Sequence, residues 1–326
     1  MRSRVLGLFP LLLFIIAIPS PARADEHSSR PTVGLVLSGG GARGAAHAGV
    51  LEVLEELRIP VDCIAGTSMG SVVGGLYACG LSPQEIEANL RAIDWDDVFD
   101  DSPPRRHLPF RRKQVDQVAL FGFELGLGRR GLEFPAGLVA GQKLGYLLEA
   151  LTLRSADAAN FDELPIPFRA VATDIDTGER VVMWKDNLAD AMRASMAVPG
   201  AFTPVGRDGM TLVDGGLVCN LPVDLVRSMG ADVIIAVDIS PQTGASQETA
   251  SAATILVQSL YLLMDQNAQQ QGELLGTADV LVVPDLGDMN PADFRAVPSA
   301  IDAGEEGARL AAASGVYYCR MTAADF

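Results

Sequence analysis

The sequence predicts an α/β protein with a mostly parallel central sheet and helices on both faces. Short, continuously apolar runs such as residues 32–37 and 233–237 have the length of buried strands. Segments with helical periodicity alternate with these runs along the chain. Because strands buried on both faces are apolar throughout, the alternation favours three layers, with the sheet between two layers of helices.

The individual elements follow in a regular order. We predict strands at residues 32–37, 61–65, 168–173, 233–237 and 280–283, and helices at 44–57, 68–78, 142–153, 188–196, 251–271 and from Ser299. Ser82 is the expected cap of one further helix, with Pro83 at its first position and Glu85 at its third. We expect all of these to belong to one domain, residues 32–326.

Residues 100–135 depart from this pattern. They contain adjacent prolines and a basic cluster between Arg105 and Lys113. Phe121, Phe123, Leu125 and Leu127 then alternate along the chain, which fits a half-buried strand or an apolar edge presented to lipid. We expect an extended excursion within the domain rather than a second domain.

The composition excludes several classes of protein. The chain has 326 residues, of which 48% are hydrophobic and 20% charged, so it can bury a core and is not a disordered protein. Its formal net charge of −16 excludes a general basic face for nucleic acid and any attraction to anionic lipid headgroups. A contact with a membrane surface would therefore have to be apolar and local, and we expect it to be transient.

The first residues have the pattern of a secretory leader. Arg2 and Arg4 precede an apolar run, and residues 22–24 form a small-residue cleavage site. We expect cleavage after Ala24, a flexible segment at residues 25–31, and export to the periplasm or the medium. Removing three arginines leaves 22 basic against 41 acidic residues, a net charge of −19.

The four cysteines are too few for a disulfide scaffold in a chain of this length. Cys63 and Cys79 fit small buried apolar residues, although one disulfide among the four, which include Cys219 and Cys319, stays open. No cysteine or histidine cluster has the spacing of a zinc site, so no metal is expected.

A glycine-rich loop, residues 38–44, connects the first strand to the first helix. Its backbone N–H groups can converge into an anion-binding nest at the helix start. Gly39, Gly41 and Gly44 also fit a dinucleotide-binding pattern, but that class needs an acidic residue at the end of the next strand. Asp62 stands at the beginning of that strand, so the nucleotide-binding alternative is the weaker one.

The sequence around Ser68 is a GxSxG motif, residues 66–70. It joins a predicted strand to a predicted helix, which is the setting of a nucleophile elbow with an exposed serine hydroxyl. The alternative is a tight glycine-rich turn in a packed core. The position favours Ser68 as a catalytic nucleophile.

A catalytic serine needs a base, and the three histidines are poorly suited. His27 lies in the leader-proximal segment, His47 one turn into a helix, and His107 in the excursion. Asp214 is the best candidate, because it ends a short apolar strand whose flanks should raise its pKa. Asp174 is the competing base. Either acid could instead belong to a turn.

Together these motifs resemble the patatin-like phospholipases, in particular their exported bacterial branch without the C-terminal barrel that members of that branch often carry. The segments at residues 137–144 and 195–205 also look like family blocks. The resemblance implies a Ser68–Asp214 dyad, fatty-acyl ester substrates such as phospholipids or lysophospholipids, and no cofactor. It also implies an oxyanion loop and glycines that shape the motifs: Gly39, Gly40, Gly41, Ala42, Arg43 and Gly44, with Gly66, Gly70, Gly215 and Gly216.

Within that loop we expect the N–H groups of Gly40, Gly41 and Ala42 to face the oxyanion. Arg43 is expected to hold the loop through backbone carbonyls, to add positive charge, or to be an ordinary residue of a helix start. Two alternatives to a lipid acyl hydrolase stay open. They are a general carboxylesterase or peptidase on the same dyad, and a catalytically silent binding protein of the same fold.

Overall fold

The computed structural model describes residues 30–101, 106, 109–110, 126–128, 131–133, 137–241 and 252–314. The predicted leader, Cys319, His27 and His107 lie outside the described residues, and so does most of the excursion. The statements that follow concern the described part of the chain.

An eight-stranded mixed sheet forms the centre of the molecule. The strands of this sheet are β1 (Val33–Leu37), β2 (Cys63–Thr67), β6 (Phe168–Asp174), β7 (Arg180–Met183), β9 (Val205–Arg207), β10 (Met210–Asp214), β11 (Val233–Val237) and β12 (Val280–Val282). Their order in the sheet is β12–β11–β1–β2–β6–β10–β9, with β7 pairing with β6. The pairs among β12, β11, β1, β2 and β6 are parallel, whereas β7, β9 and β10 run antiparallel to their neighbours.

Two small ladders lie outside it. β3 (Gly126–Gly128) pairs with β4 (Gly131–Glu133), and β5 (Gly137–Val139) pairs with β8 (Gly200–Phe202). The helices are α1 (Ala46–Glu56), α2 (Met69–Ala78), α3 (Pro83–Ala92), α4 (Trp95–Val98), α5 (Gln142–Leu151), α6 (Leu188–Ser195), α7 (Val223–Ser228), α8 (Ala252–Gly272) and α9 (Val297–Ala313).

Helices cover both faces of the sheet, as predicted. Side chains that alternate along β1 divide between two apolar clusters, Leu35 and Leu37 in one and Val36 in the other. The larger cluster contains residues of α1, α2, α3, α6 and α9, and the smaller one contains residues of α7 and α8. The three-layer α/β/α prediction is confirmed.

Local signals predicted most boundaries to within two residues. The Ser82 hydroxyl accepts a hydrogen bond from Glu85 N, and the Glu85 carboxylate accepts one from Ser82 N, which completes the expected capping box. β2 begins two residues later than predicted, at Cys63; the residue before it, Asp62, accepts from Val33 N through its carboxylate and binds Arg30.

The described cysteines, Cys63, Cys79 and Cys219, are all free and buried. Burial raises the pKa of the Cys63 and Cys79 thiols to about 11. Their prediction as small buried apolar residues is confirmed. In the same described residues, no helix combines the length and the apolar character needed to cross a membrane.

Candidate active site

Ser68 occupies a sharp turn between β2 and α2. Its backbone has φ 53° and ψ −126°, a conformation that L residues rarely adopt, and α2 begins at the next residue. The flanking glycines are required by space, since a Cβ on Gly66 would lie 2.4 Å from Gly70 O and one on Gly70 would lie 2.3 Å from Leu37 O. The geometry is that of the predicted nucleophile elbow.

Ser195 holds this turn from the neighbouring helix α6. Its Oγ accepts a hydrogen bond from Ser68 N at 2.8 Å and donates one to Val171 O at 2.6 Å. The side chain is fully buried, so both bonds lie away from water. Nothing in the residue pattern around Ser195 predicts that it holds the turn at Ser68, although it is the first residue of the 195–205 block that carried the family resemblance.

Asp214 is the last residue of β10, and both it and Ser68 are buried. The residue is 2% exposed; Oδ1 accepts from Gly216 N at 2.7 Å, and Oδ2 is buried without a hydrogen-bond partner in the described residues. Burial raises the pKa of Asp214 to about 6, against the opposing effects of the Ser68 hydroxyl and the Gly216 N–H. The Ser68 hydroxyl is thus near enough to act on the carboxyl, although no hydrogen bond of normal geometry joins the two side chains.

The backbone around Asp214 is fixed at several points. Asp214 N donates to Ala197 O at 2.9 Å, and Thr173 Oγ1 donates to Asp214 O at 2.9 Å. A Cβ on Gly215 would lie 2.2 Å from Val171 O, so a side chain does not fit there. This turn therefore needs glycine for close packing.

The glycine-rich loop passes directly beside the nucleophile. A Cβ on Gly39 would lie 2.9 Å from Ser68 Cβ, and one on Gly44 would lie 2.5 Å from Met69 Cβ. Gly41 has φ +59°, and a Cβ there would lie 2.2 Å from Pro291 O. The loop can approach Ser68 and Met69 this closely because these positions carry no side chain.

The donors of this loop are fewer than expected. Gly39 N donates to Asn220 O at 3.3 Å and to Asn220 Oδ1 at 3.1 Å. Ala42 N donates to Pro291 O at 2.8 Å, so the expectation that the Ala42 N–H faces an oxyanion is wrong in this structure. Within the described residues, the N–H groups of Gly40 and Gly41 have no hydrogen-bond partner and are the candidate donors.

Arg43 anchors the loop through main-chain carbonyls, which is one of the alternatives the sequence left open. The side chain is 5% exposed, and the cost of burying its charge lowers its pKa. Its guanidinium donates to Ile239 O at 3.0 Å, Gly287 O at 3.2 Å, Met289 O at 3.2 Å and Ser240 O at 3.4 Å. Four acceptors from two distant segments make Arg43 a cross-link rather than an ordinary helix-start residue.

Two asparagines that sequence reasoning missed connect the loop to the turn after Asp214. The Asn220 side chain also donates to Gly39 O at 3.2 Å, so its amide bonds both backbone groups of that glycine. The Asn267 side chain accepts from Asn220 N at 2.6 Å and donates to Gly216 O at 2.7 Å. No local pattern marks either residue, because their partners lie far away in the sequence.

The competing bases have other partners. His47 is fully buried, its Nε2 lies 2.8 Å from Ser38 O, and burial lowers its pKa to about 4. Asp174 accepts from Thr177 Oγ1 at 2.9 Å, and Gly178 N donates to Asp174 O at 2.8 Å in the turn to β7. Asp174 is therefore a hairpin-turn acid, and His47 is a packed helix-start residue.

The nucleotide-binding alternative loses its remaining support. Asp62 forms an ion pair with Arg30 at 2.6 Å, at the opposite end of β2 from Ser68. The position that would bind a ribose is occupied by Thr67, whose hydroxyl donates to Cys219 O at 2.9 Å.

A small apolar cavity lies beside α2. Met69 and Met196, which follow Ser68 and Ser195 in the chain, line it together with Leu144 and Leu148 of α5. Its volume of about 10 Å³ has room for one water molecule and not for an acyl chain.

Comparisons with known proteins agree with this geometry. The family model described as Patatin-like phospholipase matches residues 35–227. Patatin-like phospholipase domain-containing protein 6 of Homo sapiens is 34% identical over 231 residues, which are 68% of this chain and 15% of that protein. An NTE family protein of Mycobacterium tuberculosis is 32% identical over 258 residues, 77% of this chain and 63% of that protein.

The chain is therefore similar to a part of these relatives, and it spans only about 14–15% of the length of the animal proteins. Among solved structures, VipD from Legionella pneumophila is similar over 88% of this chain and 68% of that one, with a TM-score of 0.50 and 16% identity. This likeness extends the agreement to the fold.

Proposed function

We propose that this chain, which belongs to the patatin-like phospholipase family, is a serine lipid acyl hydrolase with a Ser68–Asp214 dyad. Its membership of that family indicates a lipid hydrolase. The observation that carries this proposal is the free, buried Oδ2 of Asp214 in a carboxyl whose pKa of about 6 responds to the Ser68 hydroxyl. A carboxylate with a pKa near neutrality is a competent general base.

The mechanism follows from these positions. Asp214 accepts the proton of Ser68 as Oγ attacks the ester carbonyl, and the ester C–O bond breaks to leave an acyl-enzyme. The proton passes to the departing alkoxide. Water then attacks the acyl-enzyme with Asp214 again as base, which releases the fatty acid and restores Ser68.

The Gly40 and Gly41 N–H groups are the proposed oxyanion donors, because they are the loop amides without a partner in the described residues. One such donor typically contributes about 3 kcal/mol to the transition state. Ser195 acts through Ser68 as a positioning residue, and Arg43 and Asn220 keep the loop against the elbow.

The proposed substrates are fatty-acyl esters, phospholipids or lysophospholipids. Membership of the patatin-like phospholipase family supports this class of substrate. A general carboxylesterase on the same dyad is the alternative, and comparison of long-chain and short-chain esters separates the two.

The test is active-site labelling with a fluorophosphonate probe, followed by peptide mapping. Wild-type protein should be labelled at Ser68, and both Ser68→Ala and Asp214→Asn should lose labelling and the release of fatty acid from phosphatidylcholine micelles. Asp174→Asn is the matched control, because it changes another buried acid, 6% exposed, that lies in the hairpin turn. Labelling that survives Asp214→Asn would refute the dyad, and a folded wild-type protein without labelling would indicate a silent scaffold.

We further propose that the chain is exported, as in the exported bacterial branch, on the strength of the leader pattern before Ala24. Fractionation of cells that express the full chain, with N-terminal sequencing, is the test. A mature protein that begins at Asp25 is the expected result, and an uncleaved cytoplasmic chain would refute it.

A further inference from the structure

A buried histidine lies beside the glycine-rich loop and takes no part in the proposed dyad. His47, in the first turn of α1, is fully buried, and its Nε2 lies 2.8 Å from Ser38 O. Its Nδ1 is also buried and has no hydrogen-bond partner among the described residues. A buried nitrogen without a partner costs stability, and an apolar side chain of similar size would avoid that cost. The hydrogen bond to Ser38 O is therefore the feature of His47 that calls for an explanation.

The charge state of the ring fixes the direction of this hydrogen bond. Burial is the largest cause that lowers the pKa of His47 to about 4, so the imidazole is neutral near neutral pH. A neutral imidazole carries one N–H, and a carbonyl oxygen can only accept. The proton is therefore on Nε2, which donates to Ser38 O.

The acceptor residue, Ser38, is the last residue before the glycines and is held at each of its polar groups. Its N–H donates to Val237 O at 3.1 Å, and its Oγ accepts from Ile239 N at 2.8 Å. These two bonds tie the start of the loop to the end of β11. A Cβ on Gly70 would lie 2.5 Å from Ser38 O, so this carbonyl also borders the first turn of the helix that follows Ser68. The hydrogen bond from the imidazole thus lies where the loop meets the nucleophile turn.

Two successive peptide units connect Ser38 to the proposed oxyanion donor, the N–H of Gly40. The first unit joins Ser38 to Gly39 and is held at both edges. His47 donates to its carbonyl, and its N–H donates to Asn220 O at 3.3 Å and Asn220 Oδ1 at 3.1 Å. In the second unit, the carbonyl of Gly39 accepts from Asn220 Nδ2 at 3.2 Å. Since the described peptide bonds are all trans, the Gly40 N–H points away from that carbonyl, and its direction is set by the units before it.

We propose that His47 is a positioning residue for the oxyanion loop: its Nε2–H fixes the carbonyl of Ser38 and, through that peptide unit, directs the Gly40 N–H toward the reacting carbonyl oxygen. This inference rests on the proposed function, because it assigns the support of an oxyanion donor which that function requires. The oxyanion forms only on the way through the transition state, so the contribution of His47 should appear in kcat and not in KM.

The first experiment compares two substitutions of nearly equal length. His47→Gln places an amide N–H within reach of Ser38 O, whereas His47→Met offers no donor. On a soluble fatty-acyl ester, His47→Met should lower kcat about tenfold with KM unchanged, and His47→Gln should regain most of that loss. The loss is smaller than the roughly 100-fold that follows removal of a donor, because the Gly40 N–H is displaced but still present. Thr152→Val is the matched control, since it removes another buried donor to a carbonyl, 2.7 Å from Leu148 O, and its kcat should equal that of wild type.

A second experiment measures the oxyanion contact without turnover. With a long-chain alkyl trifluoromethyl ketone, Ser68 Oγ adds to the carbonyl carbon, Asp214 accepts the hydroxyl proton, and the carbonyl oxygen becomes an anion. The inhibition constant of this ketone should rise about tenfold in His47→Met, in step with the loss of kcat. The corresponding alcohol has no carbonyl to attack and should inhibit wild type and both variants equally. A general loosening of the site would instead weaken both inhibitors together.

Four outcomes would overturn the assignment of His47. They are a kcat of His47→Met equal to that of wild type, the same loss of kcat in His47→Gln as in His47→Met, the same loss in Thr152→Val, and an unfolded His47→Met protein by circular dichroism. The last would make the hydrogen bond a requirement of folding. Each of them is read against an active wild type, whereas a folded wild type that neither hydrolyses esters nor is labelled at Ser68 would refute the proposed function itself.

Discussion

Replacing Asp214 by Asn should stabilise the protein at mildly alkaline pH while it abolishes hydrolysis. The carboxyl is 2% exposed, and burial raises its pKa from 3.8 to about 6. Since each tenfold change in proton affinity corresponds to about 1.4 kcal/mol, the ionised form costs the folded state about 3 kcal/mol. The amide keeps the shape and an oxygen for the Gly216 N–H, and it removes the buried charge.

The gain should depend on pH in a defined direction. Above about pH 6 the carboxyl is ionised in both states, and the whole penalty falls on the folded protein. As the pH falls from about 6 towards 3.8, the folded carboxyl takes up its proton before the unfolded one, so wild type recovers the lost stability. Below 3.8 both states are neutral and the two proteins should be equally stable at this position.

Urea unfolding followed by circular dichroism at about pH 8 and about pH 4 measures the difference. At about pH 8 we expect the free energy of unfolding of Asp214→Asn to exceed that of wild type by about 3 kcal/mol, or its melting temperature to be about 6 °C higher. At about pH 4 we expect no difference between the two proteins. Ser68→Ala is the control for inactivity alone. It removes a hydroxyl that lowers the pKa of Asp214, so it should gain nothing at about pH 8.

The reasoning would be refuted by an Asp214→Asn protein that is no more stable than wild type at about pH 8, or by a gain that persists undiminished at about pH 4. In either case the carboxyl would not be ionised at a cost inside the folded protein, and its assignment as a tuned base would fail with it.

Further predictions concern the same site. Turnover should rise with pH through about 6 and then level off, because Asp214 must be ionised to accept a proton; a pH–rate profile measures this. Ser195→Ala should lower kcat about tenfold with little change in KM, since it loosens the nucleophile turn, and steady-state kinetics on a soluble ester resolve the two. Asn220→Ala should cost about 2 kcal/mol in urea unfolding, because it leaves Gly39 O without its amide donor, and Gly39 N keeps only its bond to Asn220 O. Gly41→Ala should cost at least about 1 kcal/mol by thermal unfolding, since its φ is positive and the added carbon would meet Pro291 O.

Local sequence patterns predicted the elements that local physics governs. The strand predicted at residues 233–237 is confirmed at both ends, because the run is continuously apolar and stops at polar residues. The elbow at Ser68 was predictable from its two flanking glycines, since only glycine fits there whatever the rest of the chain does. The antiparallel strands β7 and β9 were not predicted, because they are short and half-exposed and lack a continuous apolar run, although each forms a hairpin with the neighbouring strand in the chain.

The donor set of the glycine-rich loop shows the limit of such patterns. A run of glycines indicates that backbone N–H groups can converge. Which of these N–H groups already donate to other acceptors depends on contacts with distant segments of the chain. Asn220 lies 181 residues after Gly39 and takes up its N–H, and Pro291 does the same for Ala42. The sequence therefore predicted three donors, Gly40, Gly41 and Ala42, whereas the folded chain leaves Gly40 and Gly41.

The sequence alone determined the layer architecture and the nucleophile turn, because periodicity and glycine requirements act over a few residues. It left Asp174 open beside Asp214 as the base, and the Ser68–Asp214 dyad was what the family resemblance implied. Only the tertiary structure decided that Asp214 is buried deeply enough for a pKa of about 6, and that Ser195 and Asn267 support the site. Burial, desolvation and hydrogen-bond partners are set by which distant segments meet, and that is a property of the folded chain as a whole.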